Sequence, residues 1–109
     1  MHEDKFKALG YEVWQTGGGC TAYGKTISKD EDSYILVCSF WGGYHEEQNG
    51  EGYAICVYDD SGDFTTINED KLVGLCLNDT LRLLGILSAR ERTIEGYIER
   101  GKLFVEQEL

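Results

Sequence analysis

The side chains best suited to covalent chemistry in this chain are Cys20 and His45, a thiol and an imidazole that together would make a nucleophile and its base. A reactive cysteine needs its pKa lowered by a helix N-terminus or a nearby cation, whereas Cys20 opens a predicted strand in an acidic chain. The expectation is that Cys20 packs, His45 is solvated and no catalytic set forms. Directly before Cys20 stand Gly17, Gly18 and Gly19. Glycine loses more backbone freedom on folding than any other residue, so three in a row imply positive φ or a close approach. Their amides could cradle an anion, with Lys25 as the nearby cation. The chain lacks both the Lys-Ser/Thr pair and the following helix of a Walker loop, and it has no dinucleotide fingerprint. A glycine-rich hairpin loop is the stronger reading.

A second loop, residues 41–51, carries Trp41, Tyr44, His45, Glu46, Glu47 and Glu51. His45 with the three glutamates could gather a divalent ion, but ligands on a glycine-rich loop are poorly pre-organised, and a solvated charge cluster is expected instead. Asp59-Asp60-Ser61-Gly62-Asp63 alternates acids, yet its glycine falls too early for a calcium-binding EF-hand loop, which turns on its sixth residue. Cys20, Cys38, Cys56 and Cys76 form no Cys-x-x-Cys pair, which argues against zinc. They read as reduced thiols of a cytosolic protein, with Cys20 beside a loop the first to react. No metal and no cofactor are expected.

Twenty acidic against ten basic residues give a formal charge of −10, which disfavours binding to nucleic-acid phosphates or to anionic membranes and favours a basic partner. With 41% hydrophobic and 28% charged residues the chain has a globular balance. Its 109 residues suit one domain, 1–109. No apolar run of membrane-spanning length and no charged leader is visible, so neither secretion nor membrane insertion is expected.

The elements that must position these residues follow from periodicity. A first helix over residues 3–9 buries Phe6 and Leu9 and stops at Gly10. Strands are predicted from Tyr11 to Trp14 and over 21–27, 33–40, 53–58 and 64–67. The third is apolar on both faces, through Ile35, Leu36, Val37 and Cys38, which places it centrally and well covered. Asn68 reads as the cap of a helical segment from Glu69-Asp70 through Leu72, Leu75 and Cys76. Leu81, Leu84 and Leu87 repeat on one face behind Asn78 or Asp79. Ser88-Ala89-Arg90-Glu91 reads as a capping box for a last helix that buries Ile94, Tyr97 and Ile98 and stops at Gly101. Residues 102–109 read equally as strand or helix. The expected fold is α+β, an antiparallel five-stranded meander with its C-terminal helices on one face. Alternate connections of a meander share an edge, so the glycine loop should lie on the order of 10 Å from the 41–51 loop.

The run Leu9-Gly10-Tyr11-Glu12-Val13-Trp14-Gln15-Thr16-Gly17-Gly18-Gly19-Cys20-Thr21-Ala22-Tyr23, with Tyr34-Ile35-Leu36-Val37 and the hairpin from Val57-Tyr58-Asp59 to Gly62, resembles a pattern in small tailed-bacteriophage proteins. The likeness covers about the first two-thirds of the chain and is most specific at Gly-Gly-Gly-Cys-Thr-Ala. It implies a phage origin and expression inside a bacterial cell, and it implies no activity and no functional residues.

Two function classes result. The first is a non-catalytic phage accessory protein that binds a host or phage macromolecule. It would use an acidic surface of Asp30, Asp32, Asp59, Asp60, Glu91, Glu95 and Glu99, in one version as a DNA mimic. The alternative is a small-ligand binder or minor enzyme at the glycine-loop edge, with Gly17, Gly18, Gly19, Cys20, Trp41, Tyr44, His45 and Glu46 as its candidate residues.

Overall fold

The elements run α1 (Glu3–Lys7), β1 (Glu12–Gly17), β2 (Cys20–Ser28), β3 (Ser33–Ser39), β4 (Tyr53–Tyr58), β5 (Phe64–Thr66), α2 (Leu77–Arg90) and α3 (Ile94–Glu108). They are taken from a computed structural model that describes residues 2–28, 32–40, 42–47, 50–69 and 74–108. The fold is α+β. The sheet has the order β1-β2-β3-β4-β5, every pair is antiparallel, and β3 is central. No described helix is long and apolar enough to cross a membrane.

Alternation along each strand divides the sheet into two faces. Tyr23, Ile35, Val37, Tyr53, Ile55 and Val57 share one face, and they cluster there with Leu83, Leu84 and Leu87 of α2 and with Tyr97, Phe104 and Val105 of α3. Phe6 of α1 closes the same core, stacked on the Tyr23 ring at 4.0 Å between centroids. The helix ends as expected at Gly10, whose φ is +91°. The amide of Tyr11 reaches the Phe6 carbonyl (3.1 Å) and that of Gly10 the Lys7 carbonyl (2.9 Å), the paired bonds of a Schellman stop.

Lys25 ties three elements together on this side. Its Nζ donates to the Leu9 carbonyl (3.1 Å) and the Ser88 hydroxyl (3.0 Å) and lies over the Tyr11 ring. Burial, with the nearby Arg92 charge, lowers the Lys25 pKa.

The helical segment expected from Asn68 through Cys76 is overturned where it is described; Asp70 and Leu72 lie outside the described residues. β5 ends at Thr66, and the open edge of β4 must be satisfied by other groups. The Ile67 amide bonds the Ile55 carbonyl (2.8 Å). The buried Asn68 side chain then acts as a substitute strand, accepting from the Ile55 amide (3.2 Å) and donating to the Tyr53 carbonyl (2.9 Å). Leu75 completes the edge with two antiparallel bonds to Tyr53. This edge needs Gly52 beside Gly74, because a Cβ on either would come within 2.6 Å of the other's backbone.

The helix boundaries also differ from the sequence reading. α2 starts after Cys76, so Asn78 and Asp79 sit inside it, and it continues through Ser88 to Arg90. Ser88 is therefore no cap, and its hydroxyl serves Lys25. Thr93 caps α3 instead, its Oγ1 accepting the Gly96 amide at 3.0 Å. α3 passes straight through Gly101, which is buried; a Cβ there would come within 2.5 Å of Ile67. That glycine serves close helix-to-sheet packing rather than a stop, and residues 102–108 are helical. Cys76, rather than Cys20, is the exposed thiol, and all four cysteines are free.

Candidate functional site

The glycine loop is a hairpin turn. Gly17 pairs with Cys20 across a register shift, and Gly18 (φ +60°) and Gly19 (φ +82°) are the two central residues, both positive in φ as a type I′ turn requires. A Cβ on any of the three glycines would meet nothing within 4 Å, so conformation and not close approach accounts for the run. The hollow over the turn, lined by Gln15, Gly17 to Gly19, Cys20 and Thr21, holds about 190 Å³. That falls below the roughly 300 to 1,000 Å³ of small-molecule sites.

The 41–51 loop reaches this edge through Thr21. The Thr21 amide donates to the Gly43 carbonyl (3.0 Å), and its Oγ1 accepts the His45 amide (3.1 Å) and lies 2.8 Å from His45 Nδ1. Cys20, one residue earlier on the strand, points to the other face of the sheet. Cys20 and His45 are thus held apart by the sheet, and His45 packs edge-on against Tyr23 with ring centroids 5.2 Å apart.

Glu46 turns inward. Its Oε1 accepts from the Tyr23 hydroxyl and from the His2 amide (3.2 Å), and its Oε2 from the Tyr53 hydroxyl (3.3 Å). The carboxylate fastens the loop to α1, β2 and β4. Burial is the main reason the Tyr23 and Tyr53 hydroxyls are hard to ionise, and the adjacent Glu46 charge adds to it. Glu47 is also used internally, accepting the Gly52 amide at 3.0 Å. Tyr44 projects into solvent, and Trp41 lies outside the described residues. The candidate residues of the glycine-loop edge are therefore divided among a turn, two faces and an internal anchor.

The acidic candidates are also divided. Glu91 precedes α3 and is paired with Arg100, while Glu95 and Glu99 are exposed on the helix. Asp30 lies outside the described residues, and Asp32 is exposed ahead of β3. Asp59 Oδ1 organises its own hairpin, accepting from the Ser61 amide (3.0 Å), the Ser61 hydroxyl (2.7 Å) and the Asp63 amide (3.1 Å). The Ser61 hydroxyl bond is the main cause holding the Asp59 carboxyl below its ordinary pKa. Asp60 and Asp63 are exposed beside it.

The feature that sequence reasoning missed is the second face of the sheet. No described helix packs on it, and a row of rings crosses it near the acidic turns: Trp14 of β1, Tyr34 of β3, Tyr58 of β4 and Phe64 of β5. Centroids are 5.8 Å apart for Trp14 and Tyr34, 4.8 Å for Tyr34 and Tyr58, and 5.1 Å for Tyr58 and Phe64, the last two pairs stacked. β2 contributes Gly24 to the row. A Cβ at Gly24 would overlap the Trp14 indole, so the glycine lets the ring lie flat on the strand. Trp14, Tyr34 and Tyr58 line an open cleft of about 350 Å³ with Leu36, Gln15 and Thr16. Phe64 at the end of the row is 58% exposed. Above the row lie Cys20, Cys38 and Cys56, one on each of three neighbouring strands. Burial pushes the Cys38 thiol up to about 11 and raises the Cys56 thiol as well, so these two are packing thiols rather than nucleophiles. The signal for the row was present as one aromatic in each of β1, β3, β4 and β5, but only the cross-strand register aligns Tyr34 with Tyr58 and Tyr58 with Phe64.

No protein-family model, curated protein or solved structure matches this chain. The fold and the site define a class by geometry alone: a five-stranded meander with one face sealed by helices and the other an aromatic surface beside acidic turns.

Proposed function

We propose that this is a non-catalytic binding protein, a phage accessory protein acting inside a bacterial cell, whose partner is a basic host or phage protein. The observation that carries the reading is the acidic edge. Asp32, Asp59, Asp60 and Asp63 stand together where β2 meets β3 and β4 meets β5, and no described basic side chain forms an ion pair with them. The Asp59 carboxylate is fixed in orientation by its turn, which keeps negative charge at that edge without an ordering cost on binding. The separation of Cys20 from His45 and the use of Glu46 as an internal anchor weigh against a reaction at the opposite edge.

The test is affinity capture from bacterial lysate at low and high ionic strength, comparing the native protein with the combined variant Asp30→Lys, Asp32→Lys, Asp59→Lys and Asp60→Lys. A basic protein retained by the native chain, released by salt and lost in the variant is expected. Equal recovery by both folded proteins overturns the acidic edge as the binding surface.

A further inference from the structure

The open face of the sheet has an unusual charge pattern. From β1 to β5 the described side chains that point to it are aromatic, aliphatic, thiol or hydroxyl, and the one charged group among them is Glu12, two residues before Trp14. The acidic 59–63 turn borders the same row of rings, since Tyr58 runs directly into Asp59 and Phe64 follows Asp63, and Asp32 stands two residues before Tyr34. Flat aromatic planes thus lie beside a negative edge. A row of rings on an uncovered sheet can stack bases, but platforms that hold single-stranded nucleic acid add a positive groove for the backbone. Here phosphates would face carboxylates. A second copy of the chain would likewise bring matching acidic edges together, at a cost in like-charge repulsion.

The chemistry that fits both the planes and the edge is the guanidinium group, which is planar, weakly hydrated, always charged and prone to stack on aromatic faces. We propose that the open face is the docking surface for an extended, arginine-bearing segment of a partner protein. An arginine side chain enters the cleft between Trp14, Tyr34 and Tyr58, and its charge is met by Glu12 and the Asp59–Asp63 turn. The cleft has the volume for a long side chain, and the exposed Phe64 extends the apolar track beyond it. This inference rests on the reading of the protein as a binder of basic partners and names the surface and the side chain recognised.

The experiment is a titration of the isotopically labelled native protein, followed by backbone amide shifts, with three peptides of one length in which threonine alternates with arginine, lysine or citrulline. Citrulline keeps the planar shape without the charge. The expected result is shifts confined to the open-face positions of β1, β3, β4 and β5. The arginine peptide should bind about tenfold tighter than the lysine peptide, and the citrulline peptide weaker than both. Phe64→Ala, a change at an exposed side chain, should weaken the arginine peptide severalfold without altering the rest of the spectrum. Equal affinity for arginine and lysine with shifts only in the 59–63 turn overturns the stacking surface and leaves the acidic-edge reading standing. The absence of shifts with all three peptides overturns the docking surface, and the lysate comparison then decides the broader reading separately. Shifts at the same residues on concentrating the protein alone overturn it in favour of self-association.

Discussion

The two faces of the sheet are built from alternate residues of the same strands, and they solve the problem of burying aromatic rings in different ways. On the covered face Tyr11, Tyr23 and Tyr53 are fully enclosed by helices, and enclosure leaves polar groups to be matched. Glu46 takes the hydroxyls of Tyr23 and Tyr53, Asn68 completes the β4 ladder, and Lys25 joins the ends of α1 and α2. Among the described residues the Tyr11 hydroxyl finds no partner, a residual cost of that enclosure. On the open face no described helix covers the rings, and Trp14, Tyr34, Tyr58 and Phe64 shield one another by ring contacts. One face is therefore sealed by helices, and the other leaves aromatic surface partly exposed.

The sharpest way to break this comparison is alkaline titration. Burial raises the pKa of Tyr11, Tyr23 and Tyr53 above the ordinary value of 10.0. A hydroxyl held neutral in the folded state adds stability that is fully present below the unfolded value and is lost as pH rises past it. Stability should be level with respect to these groups up to about pH 10 and then fall until the chain unfolds, with tyrosinate absorbance rising together with loss of helix circular dichroism. Smooth titration of every tyrosine in a folded protein would mean that the covered face admits water.

Next in size is Leu84→Ala, which empties a fully enclosed position between α2 and the sheet and should cost about 2 to 5 kcal/mol in urea unfolding. A loss under about 1 kcal/mol would place the helix packing elsewhere. Glu46→Ala should cost about 1 to 3 kcal/mol by leaving two tyrosine hydroxyls and the His2 amide without their acceptor. Thermal melts of this variant beside Tyr44→Ala, whose ring is exposed, separate the anchor from the rest of the loop, and equal melting temperatures would remove Glu46 from the account.

Thiol labelling reads the open face without a mutation. Cys76 should react first, Cys20 next, and Cys56 and Cys38 slowest, because burial raises the thiol pKa of the last two. Rapid modification of Cys38 would show that the upper part of the open face is looser than its packing indicates. The smallest stability effect belongs to Phe64→Ala, within about 0.5 kcal/mol of the native chain because the ring is mostly exposed. A larger loss would make the row a stabilising element in its own right.

What local chemistry could settle was legible in the sequence. Gly10 stops α1 because only glycine takes its positive φ without strain, and Gly18-Gly19 makes a two-residue turn for the same reason. The acidic hairpin, the five strands and their meander order follow from alternation and short connections, which act over a few residues. Contacts distant along the chain were not legible. Asn68 has the composition of a helix cap, but the unfilled edge of β4 claims its side chain for the sheet. Ser88 has the spacing of a capping box, but Lys25 takes its hydroxyl while α2 continues through it. Gly101 looks like a helix stop, but Ile67 sits where its side chain would be. The candidate site divides in the same way. The sequence alone determined a negatively charged chain with a glycine turn and one aromatic in each of several strands, since residue type and period are local properties. Only the tertiary structure decided that Cys20 and His45 face apart, that Glu46 turns inward and that four rings align, because which face a strand presents and what lies opposite are set by register and by where the helices pack.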